Sequence, residues 1–230
     1  MNLHRINELS DNFILFNDDF FVIDKLKKEQ FFQNNLPCDM LWAKVLVNYD
    51  LSNNVWHMVF NNMGIVNRHF NGGKNNLKHF NKWVNKVYGK KNIQNFMMML
   101  YTRYSSFYDF HFAIPYKKQT LYEVWDVEEE ELVKTCRHRF RTPLDISHWV
   151  FRYWRLAKGE FIPFNVQNYG RYFEFTNGVN EIECVIKKKK CALLVMNDAG
   201  CEEQETFEKY QKRIADAFEE ILPEKSAFEK

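Results

Sequence analysis

Apolar residues fall in short runs separated by polar punctuation, and the runs are strand-sized or helix-periodic. Phe13-Ile14-Leu15-Phe16 predicts a buried strand that ends at Asn17-Asp18-Asp19 and is followed by the pair Phe20-Phe21. Asn71-Gly72-Gly73 predicts a turn. Leu77, Phe80, Trp83, Val84 and Val87 recur at helical spacing, with Gly89 where a C-cap belongs. Residues 92–104 predict another helix, and residues 107–114 an extended segment that Pro115 stops. Thr142-Pro143 reads as an N-cap and first helical residue. Ile146, Trp149, Val150, Tyr153 and Leu156 then form one apolar face, closed by Gly159. The acidic run at residues 126–131 reads as a helix N-terminus, where carboxylates are favoured. Residues 161–175 look extended and aromatic, and Lys187–Lys190 reads as a basic guard on a strand edge. Residues 192–196 predict a second buried strand, ending at Asn197-Asp198. Phe207, Tyr210, Ile214, Phe218 and Ile221 mark a C-terminal helix that Pro223 ends.

Composition narrows the class. The 230 residues suffice for a real hydrophobic core, and no linker or repeat interrupts them, so a single α/β domain over residues 1–230 is expected. Aromatic residues make up 17%, which argues against disorder. A mean hydropathy of -0.51 without a long apolar run excludes a spanning helix, and no secretory h-region is visible. A net charge of +2 gives no electrostatic case for nucleic acid. The five cysteines, Cys38, Cys136, Cys184, Cys191 and Cys201, are spaced for neither disulfides nor zinc.

Three groupings could carry chemistry. The runs at 13–16 and 192–196 each deliver amide and acid residues, Asn17-Asp18-Asp19 and Asn197-Asp198. Ligands of open α/β sheets bind beyond the carboxyl ends of strands. If both runs are parallel strands, their carboxylates converge, suited to Mg²⁺ or Mn²⁺ or to general-base work. For either pair alone, turn chemistry is the better explanation; the two pairs together make the ligand reading competitive. Arg137, Arg139 and Arg141 would share one side of an extended stretch and suit phosphate; a surface strand paired with the acidic run is an equal reading. His111, with Lys117 nearby, lies in a polar exit from an apolar segment. Acids, arginines and a histidine without a Ser or Cys nucleophile signature point toward phosphoryl or nucleotide-sugar chemistry.

Four ordered blocks resemble a known family. Leu3-His4-Arg5-Ile6, Leu9-Ser10 and Phe13 to Phe21 resemble the "LHRIPGLSxxFIYFNDDxFF" block of the Stealth proteins. Phe110 to Lys117 resembles their "HxPxxxxK" segment. Arg139-Phe140-Arg141 with Asp145-Ile146 resembles "RFRxxxDIS". Asn197-Asp198 with residues 222–229 resembles "ND…FPEKSxFE". The resemblance implies a GT-A-like or Rossmann-like mixed sheet flanked by helices. It implies hexose-1-phosphate transfer from a nucleotide sugar, a UDP-sugar foremost, to a saccharide acceptor in capsular or exopolysaccharide synthesis. It also implies a divalent cation, Mg²⁺ or Mn²⁺, and a cytoplasmic site at the inner membrane face. Carried over onto this sequence, Asp18, Asp19, His111 and Arg139 would be catalytic. Asn17, Lys117 and Arg141 would bind substrate, and Asp18, Asn197 and Asp198 would hold the metal. The family's opening "DVVYTWVDGxD" strand has no counterpart here, which implies missing N-terminal strands, an exposed sheet edge, and a partner chain or self-association. The competing expectation is a catalytically silent remnant or acceptor-binding module. A metal-dependent phosphodiesterase ranks below both, because His-rich ligand pairs are lacking.

Overall fold

The structure, a computed structural model, describes residues 1–47, 54–175, 178–198, 203–225 and 227. Among these the strands are β1 (Asn12–Leu15), β2 (Phe20–Val22), β3 (Phe32–Gln33), β4 (Leu36–Asp39), β5 (Ala43–Lys44), β6 (Ser106–Phe107), β7 (Ile114–Lys117), β8 (Ile162–Pro163), β9 (Gly170–Glu174) and β10 (Leu193–Asn197). The helices are α1 (Asn54–His69), α2 (Gly72–Lys78), α3 (Phe80–Trp83), α4 (Lys91–Met99), α5 (Lys118–Arg137), α6 (Trp149–Lys158), α7 (Val179–Lys187) and α8 (Gln204–Ile221). The fold is mixed α/β, and its strands form several small sheets. The chain divides into two compact units. Unit 1 comprises Met1–Leu15, Lys28–Asp109 and Ile114–Asn165; unit 2 comprises Phe16–Lys27, Phe110–Ala113 and Val166–Lys230. No helix among the described residues is long and apolar enough to cross a membrane.

In unit 1, β1 pairs antiparallel with β7, so Pro115 sits inside a strand opposite Ile14 instead of stopping one. A two-stranded ribbon has open edges, where a proline need not donate to a ladder. The core gathers Phe13, Tyr116, Val124, Trp125, Val150, Phe151 and Trp154 around α6. That helix begins at Trp149, after His148, and not at Thr142-Pro143. Asp145 explains the delay: its carboxylate accepts from the Thr142 N–H (2.8 Å) and hydroxyl (3.0 Å) and pairs with His138 (2.6 Å), closing a turn. Burial pushes the Asp145 pKa up, but these partners outweigh it and hold it below its ordinary value.

The pattern predicts an apolar face on α6, yet Arg152 and Arg155 are buried with it. Arg152 grips Asp39 through Nη2 and Nε, both at 2.9 Å, and Asp109 through Nη1 at 2.7 Å. Arg155 pairs with Asp39 and donates to the Pro115 carbonyl. The acidic run lies within α5 and not at its start. There Glu128 is buried at a kink, paired with Arg68 (2.5 Å) and His69 (2.7 Å). The helical spacing at 77–87 is divided among α2, α3 and a short 3₁₀ turn.

Gly159 closes α6 at φ 74°, as its position predicts, and a Cβ there would lie 2.6 Å from the His79 ring. Gly159→Ala therefore meets both left-handed strain and a clash, and is expected to lower stability by about 1–3 kcal/mol. Urea unfolding of the two proteins checks this; equal midpoints would mean that the α6 exit is not so constrained.

Unit 2 is built on a sheet of order β2-β10-β9. β9 and β10 are parallel and joined through α7, while β2 runs antiparallel to β10. α7 and α8 pack with Ile182, Ile186, Leu194, Ile214 and Ala217 in the core. The Lys187–Lys190 run is the exit of α7, not a strand edge. Cations at a helix C-terminus are favoured by the exposed carbonyls there.

Candidate functional site

Both expected strands form, but in different sheets: β1 pairs with β7 and β10 with β2 and β9. The acids converge by a different route. Asn17 to Asp19 make the turn that opens β2, and Phe20 N–H bonds the Asn17 carbonyl. Because β2 is antiparallel to β10, the start of one lies beside the end of the other. Val195 faces Phe20, and the Met196 N–H donates to the Asp19 carbonyl at 3.0 Å. Asn197 and Asp198 follow at once along the chain. The amino end of β2 and the carboxyl end of β10 thus present Asp18-Asp19 and Asn197-Asp198 to one cleft.

His111 reaches the same cleft from the segment Phe110–Ala113. Its φ of 53° is left-handed, a conformation that His tolerates better than most residues. Next to it, Phe112 is buried against Gly170 at the start of β9, where a Cβ would approach the ring to 3.0 Å. The missing side chain at Gly170 lets Phe112 seat, which holds its neighbour at the sheet. His111 Nε2 lies 2.9 Å from Asp19 Oδ2, and both side chains are partly exposed. A carboxylate only accepts, so Nε2 carries the proton in this contact, and in a neutral ring Nδ1 would hold the lone pair. The imidazole meets Phe20 and Tyr172 edge-on, at 5.5 and 5.7 Å between centroids.

The cleft has a volume of about 660 Å³. Asn17, Asp18, Asp19, His111, Asn197 and Asp198 line one part; Phe21, Phe175, Phe207, Ile214 and Phe218 line the rest. Among the described residues its lining includes three aspartates and no lysine or arginine. Such a donor set, carboxylates with amide oxygens, is the hard-oxygen chemistry that Mg²⁺ or Mn²⁺ takes. Among the described residues, no three His, Cys, Asp or Glu side chains cluster tightly enough to hold a metal by themselves.

Lys117, Arg139 and Arg141 lie in unit 1. Lys117 ends β7. Arg137 is the last residue of α5, so the three arginines do not share one extended stretch. Arg139 and Arg141 are exposed, and neither has an ion-pair partner among the described residues; the Arg139 guanidinium rests on the Phe140 ring at 5.3 Å. Two residues beside the site are not anticipated from the sequence. Tyr172 and Glu174 alternate on β9, and the Tyr172 hydroxyl donates to Glu174 Oε1 at 3.2 Å. Their signal is the i, i+2 spacing of a strand parallel to β10, hidden in a stretch rich in aromatics.

No family model matches the sequence. Curated proteins do match it. The capsular polysaccharide phosphotransferase WcwK of Streptococcus pneumoniae is 36% identical over 230 residues, all of this chain and 67% of that protein. The chain belongs to the Stealth family of capsular polysaccharide phosphotransferases. Its similarity reaches the exopolysaccharide phosphotransferase cps2G of Lactiplantibacillus plantarum, at 28% over 234 residues. It also reaches the receptor polysaccharide phosphotransferase WefC of Streptococcus gordonii, at 27% over 230 residues. This chain spans 67% of the length of each of these Stealth relatives.

Proposed function

We propose that this chain transfers a hexose-1-phosphate from a nucleotide sugar, a UDP-sugar foremost, to a hydroxyl of a saccharide acceptor in capsular or exopolysaccharide synthesis. The observation that carries the reading is the Asp19–His111 pair, 2.9 Å apart, at a cleft bordered by Asn17, Asp18, Asn197 and Asp198. The family membership and the names of the relatives support the phosphotransferase class. The parallel β9–β10 pair with its α7 crossover supports a GT-A-like reading of unit 2.

The acceptor oxygen forms a bond to the phosphorus that bears the sugar. The bond from that phosphorus to the bridging oxygen breaks, and the nucleoside monophosphate leaves with the electron pair. The acceptor's proton passes to His111 Nδ1, the nitrogen left with a lone pair. Asp19, hydrogen-bonded at Nε2, orients the ring and stabilises the imidazolium that forms. Asp18 and Asp198, with the amide oxygen of Asn197, would hold Mg²⁺ or Mn²⁺, and Asn17 would bind substrate. When bound, the cation offsets charge on the diphosphate, which the carboxylates lining the cleft would otherwise repel. On the family resemblance, Arg139 and Arg141 are proposed to hold phosphate and Lys117 to bind substrate.

Titration calorimetry of the whole chain with a UDP-hexose tests this. Binding is expected with Mn²⁺ present and lost with chelator, and Asp198→Asn is expected to weaken it by about tenfold or more. Binding of equal strength with and without cation would overturn the cation site. No binding in either case would count against the donor assignment.

A further inference from the structure

Tyr172 touches both halves of the site. Its ring stands edge-on to the His111 imidazole at 5.7 Å and 89°. Its hydroxyl donates to Glu174 and is hydrogen-bonded by the Asn197 side chain. Strand register explains the meeting: β9 is parallel to β10, Tyr172 pairs with Val195, and Glu174 pairs with Asn197.

Donor counting then fixes an orientation. The phenol has one proton, and Glu174 takes it. Towards Asn197 the phenol oxygen can only accept, so Asn197 must offer its NH₂. That assigns the amide nitrogen, not the carbonyl oxygen, to Tyr172. A cation takes an amide by its oxygen, never by its NH₂.

We propose that Tyr172 is a positioning residue that sets two groups at once, the His111 ring through its edge and the Asn197 amide through its hydroxyl. This rests on the reading of His111 and Asn197 given above, and the two readings can fail separately.

The test uses the whole chain with Tyr172→Phe and Tyr172→Leu. One readout is Mn²⁺ affinity, with the metal alone as probe, by water-proton relaxation. The other is ¹⁵N NMR of the His111 ring nitrogens and the Asn197 NH₂ group, which needs no turnover. Tyr172→Phe keeps the ring edge and loses the acceptor. It is expected to weaken Mn²⁺ by about 10-fold, the usual effect of removing a partner behind a metal ligand. It should move the Asn197 signals and leave the His111 tautomer pattern in place. Tyr172→Leu should disturb both. Unmoved Asn197 signals in the Phe variant, or an unmoved His111 pattern in the Leu variant, would overturn the corresponding arm. If the wild-type chain binds no Mn²⁺, the cation reading fails, and the NMR signals alone decide Tyr172. Should the Leu variant not fold, the Phe variant decides the hydroxyl arm. For the ring arm, Tyr172→Trp then replaces it, with an unmoved tautomer pattern expected because an aromatic edge is retained.

Discussion

Replacing His111 by Asn is expected to lower kcat by about 10²–10⁴-fold, the usual contribution of a positioned general base. Asn is the right substitution because position 111 sits at φ 53°. Asn, like His, adopts the left-handed region readily, whereas Ala would add backbone strain to the chemical loss. The loss should fall on kcat, with the KM of the nucleotide sugar within a few-fold, since the imidazole acts on the acceptor proton. Asp19→Asn removes the carboxylate that fixes the tautomer, so kcat should fall there also. The two losses should not add, because both groups serve one proton transfer. Nucleoside monophosphate released from a UDP-sugar in the presence of a saccharide acceptor measures all four proteins, the wild type, the two single variants and the double variant. A His111→Asn protein that turns over within threefold of wild type would remove His111 from the chemistry.

How the acids meet shows what a sequence can and cannot convey. The short apolar runs with Asn-Asp endings are visible as local signals, and the family resemblance groups them with His111. Their pairing is not visible. Two parallel strands would be the expected route to convergence, and it arises instead because β2, one turn beyond the first run, lies antiparallel to β10. Pairing partners are non-local, and a three-residue strand such as Phe20–Val22 has too little pattern to announce one. Tyr172 is hidden for a related reason. In a stretch with Phe161, Phe164, Tyr169, Tyr172, Phe173 and Phe175, no spacing separates the ring that touches His111 from rings that fill a core. Thr142-Pro143 is a sound local helix start, but the Asp145 carboxylate takes the Thr142 N–H and hydroxyl and delays the helix. In α6 the binary pattern counts Arg152 and Arg155 as polar and therefore outward. Their burial depends on Asp39 and Asp109, respectively 113 and 43 residues away from Arg152, which no window along the chain brings together.

Asp39 is where the structure predicts its largest loss of stability. Its side chain is buried, accepts two forks of Arg152 at 2.9 Å, and pairs with Arg155 as well. Burial alone would push its carboxyl up. The charges and hydrogen bonds of the two arginines outweigh that and hold it below its ordinary value. Asp39→Ala leaves Arg155 buried without its carboxylate and Arg152 with Asp109 alone. Stranding one side of a buried ion pair costs about 3–5 kcal/mol. Against a total stability of about 5–15 kcal/mol, that brings the protein close to unfolding at 37 °C. Asp39→Asn keeps shape and some acceptor capacity, so its loss should be smaller. The acid limb gives an independent sign. A carboxyl with a depressed folded pKa stabilises the protein above its unfolded pKa of about 4, and that stability is lost as pH falls through the folded value. Wild-type stability should therefore decline in strong acid, and the Asp39→Asn protein should decline less steeply there. Urea unfolding across that range, read by near-UV circular dichroism, measures both quantities. An Asp39→Ala protein with a wild-type midpoint would mean that the arginines find other partners, and that the buried network does not hold α6 in place.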